Sequence, residues 1–153
     1  MPTIKDLTPE AVQSITAGVR FISLATISED GPVIRSLGSW AIRGTTLYFS
    51  TSQASAKAAQ IVRDPRISVQ LLAEGQEVTG LRNFVLNGPA KLLEGTERAV
   101  AIDAISSRNP RFKERAEKGQ LGDAAIYEVK AKLVKILDFS KGVGASALSV
   151  FEG

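Results

Sequence analysis

The chain has no cysteine and no histidine. Without cysteine there is no disulfide, no thiolate nucleophile and no zinc–thiolate site, and the composition fits a reducing compartment. The lack of histidine excludes more: imidazole general bases, Ser–His–Asp triads, and histidine-ligated metals or haem. No metal site is expected. No apolar run approaches about 18 residues, and the N-terminal residues carry no basic-then-apolar segment. The expectation is a soluble, cytoplasmic protein with no membrane partner. No run of like charges forms a nucleic-acid arm, so no nucleic-acid partner is expected either. Chemistry must come from carboxylates, Lys, Arg, Tyr, Ser or Thr, or from a borrowed cofactor.

What is present suggests a single domain over residues 1–153, with 44% apolar residues and a mixed charge of +3 that points to an anionic ligand at most. Thr8 and Pro9 open a helix that Gly18 ends. Phe21 to Ile27 is an apolar strand, and Asp30-Gly31 turns it into a second strand expected from Pro32 to Ile42. Arg43-Gly44 leads into a third strand that starts at Thr45. A helix follows Ala54, with an apolar stripe at Ala54, Ala58, Ile61 and Val62, and Asp64-Pro65 stops it. Arg66–Leu72 and Leu81–Leu93 read as strands, with Pro89 implying a bulge or an edge. Thr96 caps a long helix carrying Val100, Ala101, Ala104 and Ile105, and Asn109-Pro110 starts a short one. Strands at Ala124–Val129 and Ala131–Asp138 precede a tail expected to be an extended arm or loose. The sum is a six- or seven-stranded antiparallel β-barrel with peripheral helices.

The stretch Ser50–Lys57 is the most informative. It sits where a strand gives way to a helix, and it offers hydroxyls, helix N–H groups and one ammonium to an anion. Arg35 shares a strand face with Val33 and Leu37, and an arginine among core-facing neighbours needs a carboxylate, a phosphate or a ligand.

The ordered set "GPVIRSLGSW", "TLYFST", "SAK", "RDPRISVQLL" and "RNFVLNGPAKLL" resembles the pyridoxamine 5′-phosphate oxidase-like, FMN-binding split-barrel family. The resemblance implies FMN as cofactor in a homodimer that binds flavin between subunits. It implies that Arg35 contacts FMN and that the backbone of Ser36 and Leu37 meets the isoalloxazine edge. Ser50 and Thr51 would lie at the phosphate and ribityl chain, and Ser55 and Lys57 would hold the phosphate. Asn83 falls where the family usually has a glutamine reaching from the partner subunit. The departures are Ala56, where pyridoxamine oxidases have a basic residue, Trp40 where they have lysine, and the missing C-terminal Arg-and-His segment. Vitamin B6 oxidation is therefore rejected, while flavin binding is kept.

The function implied is a flavin-dependent oxidoreductase acting on a small molecule, with NADH or NADPH as reductant. Two alternatives stand beside it. One is a deazaflavin-dependent reductase, ranked lower because few extra cations surround the site in the sequence. The other is a non-catalytic, stress-related flavin-binding protein. Trp40 reads as a packing residue, Tyr48 and Tyr127 as core or interface, and Glu74 and Glu77 as solvated loop carboxylates.

Overall fold

The computed structural model describes residues 2–73, 75–77, 80–142 and 144–153. Gly31, with φ of 115°, takes the turn that joins β1 (Ile22–Ser28) to β2 (Gly31–Leu37), and these pair antiparallel with Leu24 opposite Arg35. In β1 the inward residues Ile22, Leu24 and Thr26 are buried, and their neighbours are half-buried. This is the period of two that a sheet with one covered face requires.

The strand expected from Pro32 to Ile42 is two strands. The chain bends at Gly38–Ser39 and restarts as β3 (Trp40–Arg43), which pairs with β4 (Thr46–Ser52). At the bend a Cβ on Gly38 would lie 3.2 Å from Cε1 of Phe21, so a side chain there would push that ring back by a few tenths of an ångström. Trp40 then turns into the core at 1% exposure, and its indole N–H donates to the Arg20 carbonyl at 3.0 Å. Trp40 is thus a packing residue, as expected.

β5 (Arg66–Leu72) and β6 (Arg82–Leu92) complete the middle of the sheet, and β7 (Ala124–Lys130) and β8 (Leu133–Asp138) follow. The strand order is β2-β1-β5-β6-β7-β4-β3, with β8 pairing β6 and β9 (Leu148–Glu152) pairing β8. β6 is the hub. One edge pairs with β5 from Asn83 to Pro89, and the other passes from β8 at Arg82–Asn87 to β7 at Ala90–Leu92. Pro89 therefore marks no edge strand: it stands where β6 changes partners, the one place where a missing N–H costs no ladder bond on that side. β2 and β3 end the path without pairing with each other, so the barrel is split. Nine strands and four α-helices occur among the described residues, rather than six or seven strands, because one expected strand bends into two and the tail adds β9.

The tail is neither loose nor an arm. Short 3-10 turns at Phe139–Lys141 and Gly144–Ala147 bring it back, and Phe151 of β9 packs against the core opposite Val134. Helix α1 (Pro9–Thr16) is capped by Thr8, whose hydroxyl accepts from the Ala11 N–H at 3.1 Å. Helix α2 (Ala56–Arg63) starts at Ser55 and buries Ala58 and Ile61, while Val62, expected on the same stripe, is 83% exposed. Helix α3 (Gly95–Arg108) starts at Glu94 rather than at Thr96 and leaves Val100 outside. It packs with α4 (Pro110–Glu117) on the back of β3, β4 and β7, burying Ile105, Phe112 and Ile126 in a second core. β7 is thereby covered on both faces, which explains its unbroken burial. Tyr127 lies in the core, stacked on Phe49 at 5.2 Å, and Tyr48 is half-buried against the second core. Glu77 is exposed, and Glu74 lies outside the described residues.

The partner switch along β6 depends on Gly88, where a Cβ would fall 2.5 Å from the Lys130 carbonyl oxygen. We expect Gly88→Ala to destabilise the fold by roughly 1–3 kcal/mol in denaturant unfolding. The control Gly80→Ala, which adds a methyl in open space, should change stability by less than about 0.5 kcal/mol. Equal effects from the two would remove this account of β6.

Candidate functional site

The junction of β4 and α2 gathers the groups that the sequence singled out. β4 alternates, so Thr51 faces inward with Leu47 and Phe49, whereas Ser50 lies on the opposite face with Tyr48. Thr51 is buried, and its hydroxyl lies 3.2 Å from that of Ser55. Ser55 caps α2, accepting from the Ala58 N–H at 3.2 Å. The N–H groups of Ala56 and Lys57 belong to the first turn and have no acceptor within the helix. The turn before the helix is pinned to the loop entering β7: Ser52 Oγ donates to Asp123 Oδ2 at 3.0 Å and the Gln53 N–H to the Asp123 carbonyl at 3.1 Å.

Arg35 reaches this junction from β2. Its guanidinium donates to Thr26 Oγ1 and to Gln60 Oε1, both at 3.1 Å, and the Thr26 hydroxyl donates to the same Gln60 oxygen at 2.5 Å. Gln60 is one turn along α2 from Lys57, so the network ties β1, β2 and α2 together and holds Arg35 beside the start of the helix. Neither Arg35 nor Lys57 pairs with a carboxylate among the described residues. Burial pushes the Arg35 pKa down. Lys57 is pushed down by burial first and then by the Arg35 charge. The hydrogen-bond partners of Arg35 among the described residues are thus the neutral oxygens of Thr26 and Gln60, and the Arg35 charge is felt at Lys57 beside a helix N-terminus. An anion placed among them would reverse both pKa shifts.

Ser36 is exposed on the outer face of β2, and Leu37 is half-buried on the inner one. Among the described residues β2 pairs only with β1, so alternate backbone groups along its other edge are open to a ligand. Asn83 is not part of this cluster: β1 and β5 stand between its strand and β2. Its Oδ1 is buried and has no hydrogen-bond partner among the described residues. The sequence reading missed Thr26 and Gln60. The signal for Thr26 was a polar residue at an inward position of an otherwise apolar strand. Apart from this cluster, Arg20, Arg108, Arg111 and Arg115 line a separate pocket just past the end of β2.

Lys57 costs the ligand-free fold something, since it is desolvated beside a like charge. Its depressed pKa means that this cost is fully present at neutral pH and fades as pH rises through the folded-state pKa toward the unfolded one. Lys57→Gln should therefore leave the melting temperature of the unliganded protein unchanged or raised near pH 7. A clear drop would show that Lys57 has a structural partner.

A comparison of the sequence with curated proteins gives no match. In overall structure the chain is similar to a heme binding protein from Mycobacterium smegmatis, at 20% identity and a TM-score of 0.75. That alignment covers 99% of this chain but 59% of the longer one. A conserved hypothetical protein from Mycobacterium tuberculosis aligns at 23% identity and a TM-score of 0.71, covering 91% of this chain and 93% of that one. The heme storage protein HutZ from Vibrio cholerae aligns at 14% identity and 0.64, covering 82% and 89%. At these identities the likeness shows the fold. No helix among the described residues is long and apolar enough to cross a membrane. The sequence itself matches the profile described as pyridoxamine 5′-phosphate oxidase over residues 8–138. With that match on a curled antiparallel sheet of this topology, the chain belongs to the pyridoxamine 5′-phosphate oxidase family and has its split-barrel fold.

Proposed function

We propose that the protein binds FMN and works as a flavin-dependent oxidoreductase on a small molecule. The observation that carries this reading is the pair Arg35 and Lys57, two cations without carboxylate partners among the described residues, beside the first N–H groups of α2. A phosphate monoester is dianionic near neutral pH and supplies the acceptor oxygens that such a site lacks. Lys57 and the helix N–H groups would hold the phosphate, Thr51 and Ser55 would donate hydroxyl bonds, and Arg35 would be fixed in aim by Thr26 and Gln60. When bound, FMN supplies hydride or electron transfer, so no histidine or cysteine is required of the chain. The free edge of β2 at Ser36 and Leu37 would lie along the ring.

The reading includes a homodimer. The outer face of β1, β2 and β5 carries Ala25, Ile27 and a 70% exposed Ile34. A largely apolar pocket of about 560 Å³ opens there between Ile27, Pro32, Ser68 and Pro89. A second copy would cover this face. Asn83 could reach flavin only across such a dimer, and its unpartnered buried oxygen is a group in want of a donor. Ser50, on the far face of β4, would act through its backbone rather than its hydroxyl. NADH or NADPH is the proposed reductant, and a chain free of cysteine suits the cytoplasm.

The two haem proteins of similar fold raise haem as a competing ligand. This chain has no histidine to offer the iron, and the paired cations suit phosphate better. A deazaflavin cofactor, or flavin storage without turnover, would use the same phosphate grip. Each differs from the main reading in a measurable way: relative affinity for the two cofactors, and reduction of bound FMN by NADH or NADPH.

Fluorescence titration should show FMN binding that weakens about ten- to a hundredfold in Lys57→Gln, the cost of one charge-assisted bond of about 1.5–3 kcal/mol. Riboflavin, which lacks the phosphate, should bind wild type weakly and be insensitive to that substitution. Equal affinity for riboflavin and FMN would overturn the phosphate assignment. Sedimentation should give a dimer, and Ile34→Asp should shift it toward monomer. An unchanged dimer would place the interface elsewhere.

A further inference from the structure

β3 is the last strand on its side of the sheet, and among the described residues it pairs with β4 alone. The Ser50 N–H donates to the Ser39 carbonyl at 3.0 Å, and the β3–β4 register, extended by one residue, sets these two opposite each other. Hydrogen-bonded pairs alternate with non-bonded pairs along an antiparallel ladder. Ala41 and Arg43 therefore bond to β4, whereas Trp40 and Ile42 turn their N–H and C=O groups away from it. Among the described residues no hydrogen bond reaches the backbone of Ile42 from any other element. Its open edge runs along a cleft of about 420 Å³, within the size range of small-ligand sites. One wall is α1, through Val12 and Gln13, and the other is α3, through Ala104 and Ser107. We propose that this cleft binds a short, extended, acidic peptide segment, which adds to β3 as a further strand.

The unpaired N–H and C=O of Ile42 form a donor–acceptor pair that another peptide backbone matches, so the residue opposite Ile42 exchanges both bonds with it. The two faces of β3 then set the side chains. Ile42 packs against the main core, to which Val12 of α1 belongs, whereas Ala41 and Ala104 belong to the second core under α3. Alternation aims the peptide residue opposite Ile42 at the α1 side, where the apolar floor suits valine. Its two neighbours aim at the α3 side, and there charge decides. Arg43 and Arg108 line the cleft, and no carboxylate does. Arg43 lies 3.6 Å from Asp103, with both side chains exposed. Such a pair contributes little, and the guanidinium keeps donors for a second carboxylate.

Edge strands are usually shortened or covered. β3 is short, with four residues, but its outer edge stays open. A second copy of the chain is a poorer occupant, because its own β3 edge is recessed between the same two helices. The cleft shares no residue with the Arg35–Lys57 grip on β2 and α2, so this proposal and the flavin reading stand or fall separately.

The test uses the full chain without added cofactor and a fluorescein-labelled peptide, Gly-Glu-Val-Glu-Gly, read by fluorescence anisotropy. Saturable binding of one peptide per chain is expected. Methylating the valine nitrogen removes the donor to the Ile42 carbonyl and should weaken binding at least tenfold. The basic peptide Gly-Lys-Val-Lys-Gly should also bind at least tenfold more weakly. Arg43→Gln should weaken the acidic peptide at least fivefold. Ser107→Trp, which fills the cleft from an exposed position on α3, should abolish binding. In amide NMR spectra the Ile42 N–H should shift and exchange more slowly when the peptide is bound. FMN affinity of both variants should stay within twofold of wild type. Circular dichroism melts check both variants, and if Ser107→Trp melts early, Arg43→Gln decides the case. The proposal is overturned if the acidic peptide does not bind, or if the methylated or basic peptide binds as well as it does. It is also overturned if Arg43→Gln binds as wild type does, or if the Ile42 amide does not respond to a bound peptide.

Discussion

Arg35 and Lys57 repel each other, and the surrounding structure holds them together. Arg35 is fixed by Thr26 and Gln60, which bridge β1, β2 and α2, and Lys57 is fixed by the helix that Ser55 caps. Like charges in a partly desolvated pocket are unfavourable unless an anion joins them, because low dielectric strengthens repulsion as much as attraction. The protein contributes no such anion among its described residues. The arrangement has the form of a binding site carried at some expense to the unliganded fold.

The barrel delivers these groups through a few geometric devices. The bend at Gly38 ends β2 just after Arg35, Ser36 and Leu37, and swings Trp40 inward as the anchor of β3. Gly88 lets β6 hand its second edge from β8 to β7, which places β7 beside β4 and so positions the Thr51–Ser55 turn through Asp123. α3 and α4 cover one half of the sheet and leave the outer face of the other half bare. Packing, free edge and bare face all follow from where the sheet splits.

Much of this was legible because it is local. Thr8-Pro9, Asp30-Gly31 and Ser55 each specify a cap or turn by the chemistry of adjacent residues, and the ordered strand motifs carried the fold. The Arg35–Lys57 encounter could be anticipated because each residue sits within a recognisable local setting. What remained hidden depends on distant contacts. Gly38 reads as one more strand residue until Phe21, seventeen positions earlier, is seen to need its space. Val62 fits the apolar stripe of α2, yet Ala58 and Ile61 alone fill the available core. The tail's β-strand is decided by the open edge of β8, and the arginine pocket joins Arg20 to residues near position 110. No local rule connects such positions.

The central claim concerns the charge environment of Lys57, and NMR titration of its side chain measures that directly. The account predicts a pKa below the usual 10.5 in the unliganded protein and a rise when FMN is added, as the phosphate replaces repulsion from Arg35 with attraction. A Lys57 pKa that is unshifted without ligand, and does not move with FMN, would contradict it.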